Sequence, residues 1–243
     1  MPNPTAAILV IGDEILSGRT QDSNTRHLAT ELTAVGIDLK EVRVVSDDQA
    51  AIVSALNALR QSYGAVFTSG GIGPTHDDIT ADAVAAAFGV GISIRDDARE
   101  ILEARYAKTG SHTNPARLRM ARIPDGATLI DNPVSGAPGF SLENVHVMAG
   151  VPAIFAAMVA SVLPLLAGGT PLISRSLRIN RGESHIAGPL AGLADSFPEL
   201  SVGSYPYHHE GIFGADIIIR GADSAMVDAA MAKLANLFPG DTQ

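Results

Sequence analysis

The stretch Thr68-Ser69-Gly70-Gly71-Ile72-Gly73-Pro74-Thr75-His76-Asp77-Asp78-Ile79-Thr80 most narrows what this chain can become. The apolar run Ala65 to Thr68 before it reads as a strand, and Thr80 to Phe88 after it reads as a helix, so a strand enters a glycine turn and leaves as a helix. Such units build parallel sheets. Three glycines in four residues predict positive φ and backbone N–H groups brought close to a ligand, with a helix from Thr80 aiming its positive end the same way. That suits an anion. A nucleotide P-loop would continue with Lys and Ser or Thr, whereas Pro74, Thr75, His76, Asp77 and Asp78 follow here. Carboxylates beside phosphate repel unless a cation lies between them. The loop therefore predicts either a divalent metal bridging Asp77 or Asp78 to a pyrophosphate, or a ligand whose hydroxyls and ring N–H groups the acids bind.

The remaining pattern supports a parallel sheet. Ala6 to Ile11 is a continuous apolar run ending at Gly12, as in a strand covered on both faces. Ser23-Asn24 then reads as a capping pair before Leu28, Leu32 and Val35, with Gly36 closing the helix. Val42 to Val45 predicts a second strand, and Asp47-Asp48 opens a helix carrying Ile52, Leu56 and Leu59. Asp96 to Lys108 and Asn114-Pro115 to Arg122 read as further helices, followed by two short strands, a strand at Val145 to Met148 and a helix after Gly150-Val151-Pro152. The prediction is a three-layer α/β/α fold with a mostly parallel sheet. Gly168-Gly169-Thr170-Pro171 marks the expected boundary, giving a domain over 1–170 and a small α+β, ferredoxin-like unit over 171–243.

Composition excludes several classes. Net charge is −9 and the 17 Lys and Arg are spread along 243 residues, which argues against nucleic acid as a partner. Without cysteine there is no disulfide, thiolate nucleophile or Cys-held metal, so any metal must take oxygen or imidazole ligands. From Asn144 to Ser174 no residue carries a formal charge, but Gly150, Pro152, Pro164, Gly168, Gly169 and Pro171 cut that segment into pieces too short to span a bilayer. The start, Met1-Pro2-Asn3-Pro4, shows no basic region of a secretory signal. A cytoplasmic protein without membrane contact is expected.

Loops that follow parallel strands emerge on one sheet edge, where ligands of such sheets bind. The loops at Gly12-Asp13-Glu14, Gly70 to Asp78 and Ala149-Gly150-Val151-Pro152 should therefore meet. Asp13, Asp77 and Asp78 are the candidate catalytic acids, with Asp13 and Asp78 as metal ligands. Gly12, Glu14, Asn24, Ser69, Gly70, Gly71, Gly73, Pro74, Thr75, Gly150 and Pro152 are the candidate ligand-binding residues. Asp77 or Asp78 has a rival role as a helix cap, Asp13-Glu14 as solvated loop charges, and His76 as a surface group bonded to an acid. His208-His209-Glu210 has metal-ligand chemistry but no third spaced ligand. The arginines at 95, 99, 105, 117, 119 and 122 read as a solvated helix face from which one could reach a phosphate.

These motifs, together with Gly12-Asp13-Glu14-Ile15-Leu16-Ser17-Gly18, Asp22-Ser23-Asn24 and Asn132-Pro133…Ala137-Pro138-Gly139-Phe140, resemble the molybdopterin-binding (MoaB/Mog-type) domain. More closely, the chain resembles the competence/damage-inducible protein A (CinA) branch, whose small α+β unit is matched by Gly182-Glu183-Ser184 and Gly203-Ser204-Tyr205-Pro206. The resemblance implies one pocket with two uses. Molybdenum-cofactor relatives bind molybdopterin, whereas CinA-type domains, like the similar domain of FAD synthases, are credited with hydrolysing nucleotide pyrophosphates such as ADP-ribose or FAD. Carried over by motif, Gly70, Gly71 and Gly73 bind phosphate and Asp78 holds a divalent metal (Mg or Co) or the pterin.

Three functions are thus expected: a metal-dependent nucleotide pyrophosphohydrolase, a molybdopterin-binding protein, or a non-catalytic nucleotide-binding module, each with a nucleotide or pterin as small-molecule partner and with self-association into a homo-oligomer. In CinA-like proteins the late loop usually reads Leu-Pro-Gly-Val-Pro, a basic or polar residue, then Glu. Here it reads Met148-Ala149-Gly150-Val151-Pro152-Ala153-Ile154, without that Glu, so the resemblance implies binding more directly than hydrolysis. Many CinA proteins continue into a nicotinamide-mononucleotide deamidase domain, an activity not expected of these residues.

Overall fold

A computed structural model describes residues 2–108, 110–209 and 212–240. Its chain separates into two compact units, residues 1–169 and 170–243. The first unit opens with β1 (Thr5–Ile11), a short α1 (Asp13–Leu16), α2 (Asn24–Ala34), β2 (Asp38–Val45), α3 (Gln49–Ser62), β3 (Ala65–Ser69) and α4 (Thr80–Phe88). It continues with β4 (Ile92–Ile94), α5 (Asp96–Lys108), α6 (Pro115–Leu118), β5 (Arg122–Pro124), β6 (Thr128–Ile130), β7 (Gly139–Leu142), β8 (Val145–Met148) and α7 (Pro152–Val162).

The main sheet has the order β2-β1-β3-β8-β7-β6. β1 pairs in parallel with both β2 and β3, and β3 pairs in parallel with β8, while β7 runs antiparallel to its neighbours. Period-two alternation explains the two-sided burial. Ala7, Leu9 and Ile11 of β1 pack with Ile52, Leu56 and Leu59 of α3 and Ala83 and Val84 of α4, whereas Ala6, Ile8 and Val10 pack with Leu28 and Leu32 of α2 and Phe155, Met158 and Val159 of α7. The fold is therefore three-layered, with helices on both faces of a mostly parallel sheet. No helix among the described residues is long and apolar enough to cross a membrane.

Local chemistry departs from the sequence expectation in two places. At α2 the capping acceptor is Asp22, whose carboxylate takes the amides of Asn24 and Thr25, while Ser23 makes no side-chain cap. The helix expected up to Arg122 ends earlier: Asn114 caps it through the Arg117 amide, Arg119–Ala121 tightens into a 3-10 turn, and Arg122–Pro124 pairs antiparallel with Ile92–Ile94 in a separate two-stranded sheet. The backbone is already extended at Arg122, and Pro124 biases Ile123 the same way.

The second unit comprises β9 (Ile173–Ile179), α8 (Glu183–Ser196), β10 (Ser201–His209), β11 (Ile212–Gly221) and α9 (Ser224–Leu237), with the antiparallel order β10-β11-β9. Ala215, Ile217 and Ile219 face Ile186 and Leu193 of α8 and Val227, Ala230 and Leu234 of α9. Glu210, part of the His208-His209-Glu210 reading, lies outside the described residues.

One buried group links the first unit's sheet to pH. His146 on β8 is buried beside Phe67, with ring centroids 5.2 Å apart, and its Nδ1 lies 2.8 Å from Ser141 Oγ. Burial pushes its pKa down to about 4. An unfolded imidazole titrates near 6.5, so between those values the unfolded chain binds more protons and the folded state loses stability as pH falls. Above that window both states are neutral and the group contributes no pH dependence. Chemical unfolding of wild type and His146→Phe should show their stability difference shift against wild type by roughly 3 kcal/mol between pH 7 and pH 4. A difference that stays constant across that range would refute the assignment.

Candidate functional site

β1 leads to β2 on one side and β3 lies on its other side, so strand order reverses between β1 and β3. Ligands of open parallel sheets bind beyond the strand ends at such a point. A cleft of about 600 Å³ lies there, walled by Ile11 at the end of β1, Asp47 after β2, Gly70 to Pro74 with Asp77 and Asp78 after β3, and Ala149 to Pro152 after β8. Its volume is that of a small-molecule or nucleotide site.

The glycines of the β3 loop have separate reasons. Gly70 has φ 109° and Gly71 φ 70°, conformations that side chains rarely tolerate. A Cβ on Gly70 would lie 2.3 Å from the Ile11 carbonyl oxygen, and one on Gly71 would lie 2.1 Å from Thr80 Oγ1. Gly73 does not have positive φ; its Cβ would meet the Asp78 carboxylate at 2.6 Å. Thr80 closes the turn: its hydroxyl donates to the Gly70 carbonyl at 2.9 Å and its amide to the Gly71 carbonyl at 2.9 Å. That first amide of α4 is therefore spent inside the loop.

Asp78 is a turn-former and a cleft residue together. Its Oδ2 accepts from the Thr75 amide at 2.8 Å and the Thr75 hydroxyl at 2.6 Å. It does not cap α4, whose N-cap makes no side-chain bond. Asp77 lines the same cleft, and His76 is fully exposed, 3.9 Å from Asp77 Oδ1.

Asn24 pins the loops together. Its buried amide donates to Ser69 Oγ at 2.8 Å and to the Gly150 carbonyl at 2.7 Å, joining α2 to the ends of β3 and β8. Both N–H donors are consumed, so Asn24 positions the site rather than offering them to a ligand. Gly150 approaches the glycine loop backbone to backbone, where a Cβ would sit 3.2 Å from Gly70 Cα. Asn24, Ser69, Glu14, Gly150 and Pro152 share a smaller cavity of about 60 Å³ beside the main cleft.

The structure thus brings Glu14, Gly70, Gly71, Gly73, Pro74, Asp77, Asp78, Gly150 and Pro152 to one cleft, with Asn24 and Ser69 beside it. Gly12, Asp13 and Thr75 do not line it. Gly12 lies beneath the Glu14 carboxylate, and Asp13 uses its amide to donate to Asp47 Oδ2 at 2.9 Å. Among the described residues no three acids or histidines converge as a metal site.

Asp47 was missing from the expected set. Sequence pattern assigned Asp47-Asp48 to opening α3; Asp48 does cap it, accepting from the Ala51 amide at 2.8 Å, and Asp47 turns into the cleft. Burial pushes the Asp47 carboxyl above its usual range against the bond from the Asp13 amide, and the charges of Asp13, Glu14 and Asp77 push it further. Its place after a fourth parallel strand was the available signal. Asn132 also lines the cleft: its amide donates to Ser135 Oγ and the Ala137 carbonyl, and its oxygen accepts from Val134 and Ser135, folding the wall that the Asn132…Ala137 motif encodes.

A model of the probable molybdopterin binding domain matches residues 7–168, and one of the FAD synthase middle domain matches residues 171–243. A CinA-like protein of Gemmatimonas aurantiaca is 35% identical over 243 residues, covering 92% of this chain and 56% of that protein. A protein of Pyrobaculum calidifontis is 33% identical over 252 residues, covering 97% of this chain and 96% of its own. The chain spans about half the length of the CinA-like relatives it matches. The crystal structure of CinA from Thermoplasma acidophilum, described as of unknown function, superposes with a TM-score of 0.61 at 32% identity, covering 67% of this chain and 97% of that one. The chain belongs to the MoaB/Mog-type molybdopterin-binding domain family, in its CinA-like branch, with an FAD synthase middle domain following.

Proposed function

We propose that the cleft binds a nucleotide pyrophosphate of the ADP-ribose or FAD kind and hydrolyses it with the help of a divalent ion. The observation that carries this reading is a single cleft of about 600 Å³ that joins a glycine loop to a cluster of carboxylates and an apolar wall. Ile11, Ile72, Val151 and Ile154 offer the apolar surface for a flat ring, and the Gly70–Gly73 backbone offers the close approach a phosphate needs.

The acid cluster fits a hard cation. Every donor is an oxygen, and a bound cation would offset the burial and the neighbouring charges that together raise Asp47. Asp77 or Asp78 would hold such an ion jointly with the ligand's phosphates, the mode in which one or two carboxylates suffice. A divalent ion supplies Lewis-acid polarisation of a phosphoryl oxygen and a more acidic bound water. The chain's own contribution is orientation by the loop and proton acceptance by Asp47. Water adds to one phosphorus, the bridging oxygen leaves with the other, and two phosphomonoesters result.

Incubation of ADP-ribose, FAD, NADH and coenzyme A with Mg²⁺ or Co²⁺, followed by phosphorus NMR, should convert pyrophosphate resonances into phosphomonoester resonances for one or more of them. Folded, metal-binding protein that turns over none of them defeats the hydrolase reading. A pterin ligand is the second reading, supported by the family's description and by cleft-lining acids, a residue type able to accept ring N–H bonds with no intervening cation. Its mark is binding of molybdopterin that survives chelator, where nucleotide binding is lost.

A further inference from the structure

Next to the cleft, Arg119 is left with an unmet donor. Its Nε is buried with no hydrogen-bond partner, and its Nη2 makes one long bond, 3.3 Å, to the Asp78 carbonyl. A buried unpaired N–H costs about 1–3 kcal/mol, and more on a charged group, so native structures rarely keep one without a reason. The neighbouring Arg122 has no such need, since Asp82 grips its two terminal nitrogens at 2.8 and 2.6 Å. Arg95 and Arg99 are likewise paired with Asp97 and Asp96. Arg119 has no carboxylate in bonding range among the described residues.

Arg119 lines a crevice of about 20 Å³ that shares Gly71, Ile72, Gly73, Asp78 and Met120 with the main cleft. That volume holds about one water, which needs polar partners on both sides. The crevice thus sets Arg119 beside the glycine loop and Asp78. We propose that Arg119 is the anion-binding cation of the glycine loop, its guanidinium, which no carboxylate among the described residues neutralises, serving a phosphate seated on Gly71–Gly73. The inference rests on the nucleotide reading only in taking that anion to be a phosphate. An arginine fork orients a charge-assisted bond where a lysine would not.

Calorimetric titration of wild type, Arg119→Ala and Arg119→Lys with inorganic pyrophosphate, ADP-ribose and adenosine, in Mg²⁺ at several salt concentrations, tests this. Arg119→Ala should weaken pyrophosphate and ADP-ribose by roughly tenfold to a hundredfold and flatten their salt dependence, with adenosine unchanged. Arg119→Lys should restore the salt dependence and only part of the affinity. Equal pyrophosphate binding by wild type and Arg119→Ala overturns the inference, and leaves the proposed function standing if ADP-ribose is still hydrolysed. Equal weakening of all three ligands, adenosine included, shows a structural residue and overturns it too. Loss of pyrophosphate binding in Arg119→Ala by a protein whose wild type ignores ADP-ribose upholds Arg119 and defeats the nucleotide reading. Wild type that binds neither phosphate defeats both.

Discussion

Gly70→Ala is expected to destabilise the first unit by about 3–5 kcal/mol, because a special backbone conformation and a backbone clash coincide at one residue. At φ 109° an L side chain is strained whatever the space around it, and here the new Cβ would lie 2.3 Å from the Ile11 carbonyl oxygen. Neither neighbour is free to move. Ile11 is paired to Val45 on β2, and the Gly70 amide donates to the Met148 carbonyl at 3.1 Å. Relief must come from separating the ends of β1, β3 and β8, which are the elements whose loops wall the cleft. Urea unfolding should show a lower midpoint with an unchanged slope, and ligand binding should fall along with it. A loss below about 1 kcal/mol would mean the loop is softer than its geometry implies.

That coupling explains which parts of the site could be read from sequence. Gly12, Gly70 and Gly150 each follow a strand-like run, so local pattern placed their loops on one edge, and the parallel order β2-β1-β3-β8 brings them there. The role of Asn24 was not legible in the same way. Its two bonds reach residues 45 and 126 positions away, and no local spacing encodes partners at that distance. Asp47 was hidden by a sound local explanation, since one of two adjacent acids was needed to cap α3 and the sequence did not say the other was spare. Arg119 was one of six arginines read as a solvated helix face from which one could reach a phosphate, and no local signal singled it out; it sits in a turn against the glycine loop. The paired strands Ile92–Ile94 and Arg122–Pro124 are too short to carry a periodic signal.

Asp78→Asn is expected to cost roughly a hundredfold or more in metal-dependent turnover while changing stability by less than about 1 kcal/mol. The separation follows from the two duties of one carboxylate. Toward the turn, Asp78 acts as an acceptor for the Thr75 amide and hydroxyl, and the oxygen of Asn can take the same bonds. Toward the cleft the proposed reaction uses its negative charge, and Asn removes that charge without changing the shape under Gly73, whose absent Cβ leaves the room the carboxylate occupies. Asp78→Ala supplies the contrast: it removes the turn acceptor as well, so it should lower the melting temperature where Asp78→Asn does not. Thermal unfolding of both variants, with phosphorus NMR of ADP-ribose across a Mg²⁺ titration, separates the duties. Full turnover in Asp78→Asn would remove Asp78 from the reaction and leave it as the residue that shapes the turn, with Asp47 and Asp77 carrying the cleft's charge. A melting loss in Asp78→Asn as large as that of Gly70→Ala would instead show that the charge itself holds the turn against the amide of Thr75.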